Sequence, residues 1–72
     1  MFIATYLSFE NVLSLKVVKD DADANAFFQK CINKTEDKNY VLTDREDAEE
    51  DYAIAMDIWR EGSDGELINE RG

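Results

Sequence analysis

A chain of 72 residues carrying a net charge of −9, with no histidine and one cysteine, rules out much before any pattern is read. It has room for one small domain, and its one Trp, three Tyr and four Phe supply a core that disordered chains lack. Without histidine the commonest general base and metal ligand is missing, and Cys31 alone can neither close an internal disulfide nor anchor a zinc cluster, which fits a reducing cytoplasm.

The N-terminal run MFIATYLSF is apolar but has no basic flank or cleavage pattern. It is also far too short for a membrane span, so it reads as structure and not as a signal peptide. Residues 2–9 and 12–18 are rich in β-branched and aromatic side chains and are separated by Glu10 and Asn11. They predict a hairpin whose two-residue turn uses Asn11 at positive φ. Pairing Phe9 with Val12 puts Ala4, Tyr6, Leu13, Leu15 and Val17 on one face. Ile3, Thr5, Leu7, Phe9, Val12, Ser14, Lys16 and Val18 then fall on the other. Both faces are substantially apolar, where a half-solvated hairpin would alternate cleanly. Ile3, Leu7, Phe9, Val12 and Val18 therefore predict self-association, a homodimer through the hairpin.

The stretch KDDADANAFFQKCINK predicts a helix at about 21–34. Asp20 or Asp21 serves as N-cap, and Ala24, Phe27, Phe28, Cys31 and Ile32 share one face. Lys30 and Lys34 complement the negative end of its dipole. After the polar turn TEDKN, residues 40–43 predict a short strand. Thr43 and Glu46 then form a capping box that opens a second helix running to about Arg60, with Gly62 as its stop. Leu67 and Ile68 add an edge strand or simply pack, and residues 69–72 fray. The expected fold is thus a single α+β domain over residues 1–68, in the order ββαβα.

Charge is concentrated toward the C-terminal end. Residues 1–43 hold six acids against five lysines, a net of −1, whereas residues 44–72 hold eleven acids against three arginines, a net of −8. At the centre of this lies DREDAEED, six carboxylates in eight positions. On a continuous helix from 44 to 60, Asp44, Asp47 and Asp51 fall at about 260° to 320°, in the arc that Ile54 and Ile58 occupy further along. Three unpaired carboxylates cannot enter a core, so the first turns must project into water. A helix dipole favours one or two acids there. Six exceed that need, because like charges at i,i+4 repel.

The plain reading of the block is a solubilising helix end. The sharper one is a surrogate for a nucleic-acid backbone, since carboxylates in rows along a helix recur about every 5–6 Å, the order of phosphate spacing. A protein that binds DNA by neutralising phosphates would find comparable anions here. In its size, its lack of proline and histidine, and its acidity centred on DREDAEED with Asp57 and Glu61, the chain resembles the DNA-mimic inhibitors of bacteriophages. That group includes inhibitors of the nucleoid protein HU, restriction enzymes, uracil-DNA glycosylase, RNA polymerase and CRISPR effectors. The resemblance implies a non-enzymatic inhibitor acting in the host cytoplasm. Its partner would be a basic, DNA-binding host protein held by Asp44, Glu46, Asp47, Glu49, Glu50, Asp51, Asp57 and Glu61.

Direct contact with nucleic acid or an anionic membrane is disfavoured by the net charge of −9. No catalytic residue, cofactor or metal is expected. The acids lie on a convex helix and not across a cleft, the serines have no histidine, and no glycine-rich phosphate loop is present. The Asp64-Gly65-Glu66 segment falls short of an EF-hand loop. The competing class is an adaptor or antitoxin-like module that docks through the apolar hairpin face with Trp59 as an anchor.

Overall fold

The computed structural model describes residues 1–71. In chain order these form β1 (Phe2–Leu7), β2 (Leu13–Val18), α1 (Asp21–Thr35), α2 (Arg45–Tyr52), β3 (Ala55–Glu61) and β4 (Leu67–Asn69). The strands make one antiparallel sheet in the order β2-β1-β3-β4. The first helix packs on β1 and β2, and α2 packs on β3. The class is α+β, as the sequence indicates, and the hairpin is followed by the expected amphipathic helix.

The hairpin differs from expectation by one residue of register. Leu7 pairs with Leu13 and Ile3 with Val17, so Ser8 to Val12 form a longer connection in place of a two-residue turn. Ser8 closes this loop through both its backbone and its hydroxyl: its N–H donates to the Val12 carbonyl, and its Oγ accepts from the Val12 N–H at 3.1 Å. Asn11 does take positive φ, at 65°. Because side chains alternate along a strand, the slip moves all of β2 to the opposite face. Leu13, Leu15 and Val17 now join Ile3, Thr5 and Leu7, while Val18 turns under α1 and is buried.

Helix α1 forms where its local signals place it. The Asp20 carboxylate accepts from the Asp23 N–H at 2.8 Å, and Asp23 in return accepts from the Lys19 N–H. Ala24, Phe28 and Ile32 are fully buried, with Phe27 and Cys31 flanking them. They meet Ala4, Tyr6, Met56 and Ile58 from the sheet, and the Tyr6 hydroxyl bonds Thr35 Oγ1 at 2.7 Å.

Residues 40–43 are not a strand. Their backbone groups are taken by α1 side chains: Gln29 Nε2 and Asn33 Nδ2 donate to the Tyr40 carbonyl, and the Leu42 N–H donates to Gln29 Oε1. With those groups satisfied, no neighbouring strand is needed. The N-cap of α2 is Asp44 and not Thr43, its carboxylate accepting from the Glu46 N–H at 2.9 Å.

The largest correction concerns residues 53–61. The second helix ends at Ala53, which adopts a left-handed conformation (φ 53°, ψ 47°), and the chain continues as β3. Ile54, Met56 and Ile58 are buried, while Ala55, Asp57 and Trp59 point to the other side. This period-two pattern pairs Phe2–Leu7 with Ala55–Arg60 and makes β1 a central strand. Gly62, expected as the helix stop, instead lies at the β3–β4 turn, where its N–H donates to the Glu66 carbonyl. A Cβ on Gly62 would come within 2.9 Å of Ile68 Cδ1, so glycine serves close packing there.

Residues 69–71, expected to fray, hold specific contacts. Asn69 pairs with Trp59, the Glu70 N–H donates to the Ile58 carbonyl, and Arg71 bonds Glu49. The remaining residue of that segment, Gly72, lies outside the described residues. Among those described, no helix is long and apolar enough to cross a membrane.

Candidate functional site

Helix α2 rises from its Asp44 cap, buries Ala48 in the core and packs Tyr52 against its edge. An eight-residue helix is roughly 12 Å long, about half the length of the continuous helix read from the sequence. Its other side is carboxylate. Asp44, Glu46, Asp47, Glu50 and Asp51 are exposed, and among the described residues none of them is in a salt bridge. The expected alignment of Asp44, Asp47 and Asp51 with Ile54 and Ile58 along one helix does not occur, because Ile58 lies in β3 and Ile54 follows the end of α2.

Arg45, the single cation inside the block, does not neutralise it. The guanidinium lies over the Phe28 ring at 5.8 Å from its centroid, turned toward the core side of the helix. The remaining acids at the helix surface therefore have no ion pair with it.

The other three expected contact residues take different positions. Glu49 is turned toward the fold: Oε2 accepts from the Met56 N–H at 2.8 Å and Oε1 accepts from Arg71 Nη2 at 2.6 Å. Arg71 is held above its ordinary pKa, first by the hydrogen bond it donates to Glu49 and further by the charges of Glu49, Asp57 and Glu46, with burial opposing. Asp57 lies on the sheet face away from α1, where Oδ1 accepts from Asn69 Nδ2 at 3.0 Å and stands 3.9 Å from Arg71 Nε. Glu61 is exposed at the end of β3. The structure thus gathers five of the eight on one surface and gives Glu49 and Asp57 partners within the fold.

A second feature is the uncovered side of the sheet. Leu13, Leu15 and Val17 are 57%, 62% and 58% exposed, and Leu13 and Leu15 join Ile3, Leu7, Trp59 and Leu67 around a shallow groove of about 400 Å³. The apolar character of both hairpin faces was legible in the sequence. Which residues shared the open face was not, because it depended on the register.

Among the described residues no three acidic or thiol side chains converge to hold a metal ion. Burial pushes the Cys31 thiol up, with Lys34 opposing weakly, which keeps it protonated and a poor nucleophile. No protein-family model, curated protein or solved structure matches the chain.

Proposed function

We propose that this protein is a non-enzymatic inhibitor that occupies the basic, DNA-binding surface of a host protein with the acidic side of α2. The observation that carries this reading is the set Asp44, Glu46, Asp47, Glu50 and Asp51, exposed and without a salt bridge among the described residues while Arg45 lies over Phe28. Rows at i,i+3 and i,i+4 give a track roughly 12 Å long, which matches two or three successive phosphates of one strand. Each acid acts as a fixed anion. Glu49 serves the fold beneath the track and Asp57 on the other face of the sheet, while Glu61, exposed at the end of β3, adds only to the overall negative field.

Such a contact replaces phosphates in a counterion-release equilibrium, so affinity falls steeply with salt and DNA competes for the same surface. The test is capture of basic proteins from a bacterial lysate at low salt, followed by elution with duplex DNA. The chain carrying Glu46→Gln, Asp47→Asn, Glu50→Gln and Asp51→Asn is run in parallel. A partner released by DNA and lost by the variant supports mimicry. Equal retention by both proteins, or undiminished binding in roughly 0.5 M salt, overturns it. The competing reading, docking through apolar surface, draws on the uncovered sheet face and predicts binding nearly indifferent to salt.

A further inference from the structure

The sheet has a helix layer on one side only. Two-layer α+β domains are stable in this form when the second face is polar. Here the open face carries Ile3, Leu7, Leu13, Leu15, Val17 and Trp59, and its charged strand positions are two carboxylates, Asp57 and, at the end of β3, Glu61. Monomers rarely leave a contiguous apolar patch of more than a few hundred Å² in water.

We infer that this face is the interface of a symmetric homodimer, with a second copy of the chain packed sheet against sheet. Three observations carry the choice of occupant.

The first is area. Six-residue strands are roughly 20 Å long and four of them side by side are roughly 19 Å wide, so with β4 short the face projects about 350 Å². Pairing two copies covers at least twice that projection, about 700 Å², and the relief of side chains as exposed as Leu13, Leu15 and Val17 carries the accessible area toward the lower end of specific interfaces, about 1,200 Å² for both partners together.

The second is polar satisfaction. Trp59 Nε1 donates to Thr5 Oγ1 at 2.9 Å, and Thr5 in turn reaches the Asp57 carbonyl. The Asp57 carboxylate is bonded by Asn69 and faced by Arg71. These groups can be covered without leaving an unpaired donor or charge, and Glu61, exposed at the end of β3, lies at the rim of the face where it keeps its water.

The third is the placement of charge. Two chains of −9 repel each other unless their acids are kept apart. Ala48 and Arg45 of α2 contact the core and Phe28 on the α1 side of the sheet, so the acidic surface belongs to the covered side. Face-to-face packing leaves the two acidic helices on opposite outer sides. Two sheets and two helix layers separate them by roughly 30 Å, several Debye lengths. A dimer of this form presents two anionic surfaces pointing outward. It does not depend on what those surfaces bind.

Sedimentation equilibrium from about 5 to about 500 µM tests the inference, the upper limit being set by the modest area. The expected mass rises from 8.3 kDa toward twice that value, with a concentration-dependent blue shift of Trp59, the single tryptophan. Leu15→Lys, at a side chain already exposed, should raise the dissociation midpoint at least tenfold while circular dichroism stays unchanged. Leu13→Lys is the second variant should the first disturb the strand. Val12→Lys, exposed at the loop and off the face, should leave the midpoint in place, as should neutralisation of Glu46, Asp47, Glu50 and Asp51. A mass fixed at 8.3 kDa throughout overturns the inference. So does a dimer indifferent to both leucine variants, or a foreign protein bound by a monomer through Leu15.

Discussion

Arg71 Nη2 stands 2.6 Å from Glu49 Oε1 and 2.8 Å from the Met56 carbonyl, so the segment after β4 is fastened to both the acidic helix and the strand that follows it. One guanidinium thereby fixes where α2 sits against the sheet and takes one carboxylate out of the acidic surface. Arg71→Ala removes two charge-assisted hydrogen bonds. Arg71 is 41% exposed, and water screens much of the gain, so the expected loss is about 1 kcal/mol. A thermal melt should show a drop of roughly 4–8 °C for a domain this small.

Ala53 ends α2 in the left-handed region without the glycine that usually occupies such a position. Ala53→Gly relieves the steric cost of the Cβ there, offset in part by the greater freedom of glycine in the unfolded chain. The expected result is a gain of about 0.5–1 kcal/mol, read as a higher urea midpoint with an unchanged slope.

Phe28 is fully buried between α1 and the sheet and also carries Arg45 on its ring. Phe28→Ala should cost about 3–5 kcal/mol. For a small domain that is a large fraction of total stability, and loss of cooperative urea unfolding is the expected outcome.

The exposed acids at 46 and 50 and at 47 and 51 are like charges at i,i+4 on a short helix. Neutralising these four while keeping the Asp44 cap should leave the fold intact and raise the melting temperature in low salt by a few degrees. Added salt should stabilise the original chain more than the variant. A fall in stability on neutralisation would mean that the acids serve the fold and not a partner.

Tyr6 is held above its ordinary pKa of 10.0, chiefly by burial, with the Thr35 hydrogen bond opposing and Glu36 and Cys31 adding to the rise. A tyrosine whose folded pKa is raised binds its proton more tightly in the native state. Its contribution is complete below the unfolded value and is lost as pH rises through the folded one. Tyr52, raised by burial and by Asp37, acts in the same direction. Stability should be flat in this respect through neutral pH and fall above pH 10.0. Tyr6→Phe should cost about 1 kcal/mol at neutral pH, through the lost Thr35 bond, and flatten the alkaline limb.

Local chemistry was enough to place α1 with its cap at Asp20 or Asp21, the positive φ of Asn11 and the exposure of five of the six carboxylates in 44–51. A cap, a 3.6-residue period and a turn residue act within a few positions of one another, and charge cannot be buried unpaired. What lay beyond it depended on distant pairing. Residues 54–61 carry apolar side chains compatible with both a 3.6 and a 2.0 period. The second edge of β1 decided between them by pairing Phe2 with Arg60, across most of the chain. No glycine marked the helix end at Ala53, and no local signal separated a five-residue loop at 8–12 from a tight turn. That single residue of register chose which half of β2 faces water. The open apolar face is therefore a property of the folded sheet, because strand faces are assigned by long-range hydrogen bonding and only their alternation is written in the sequence.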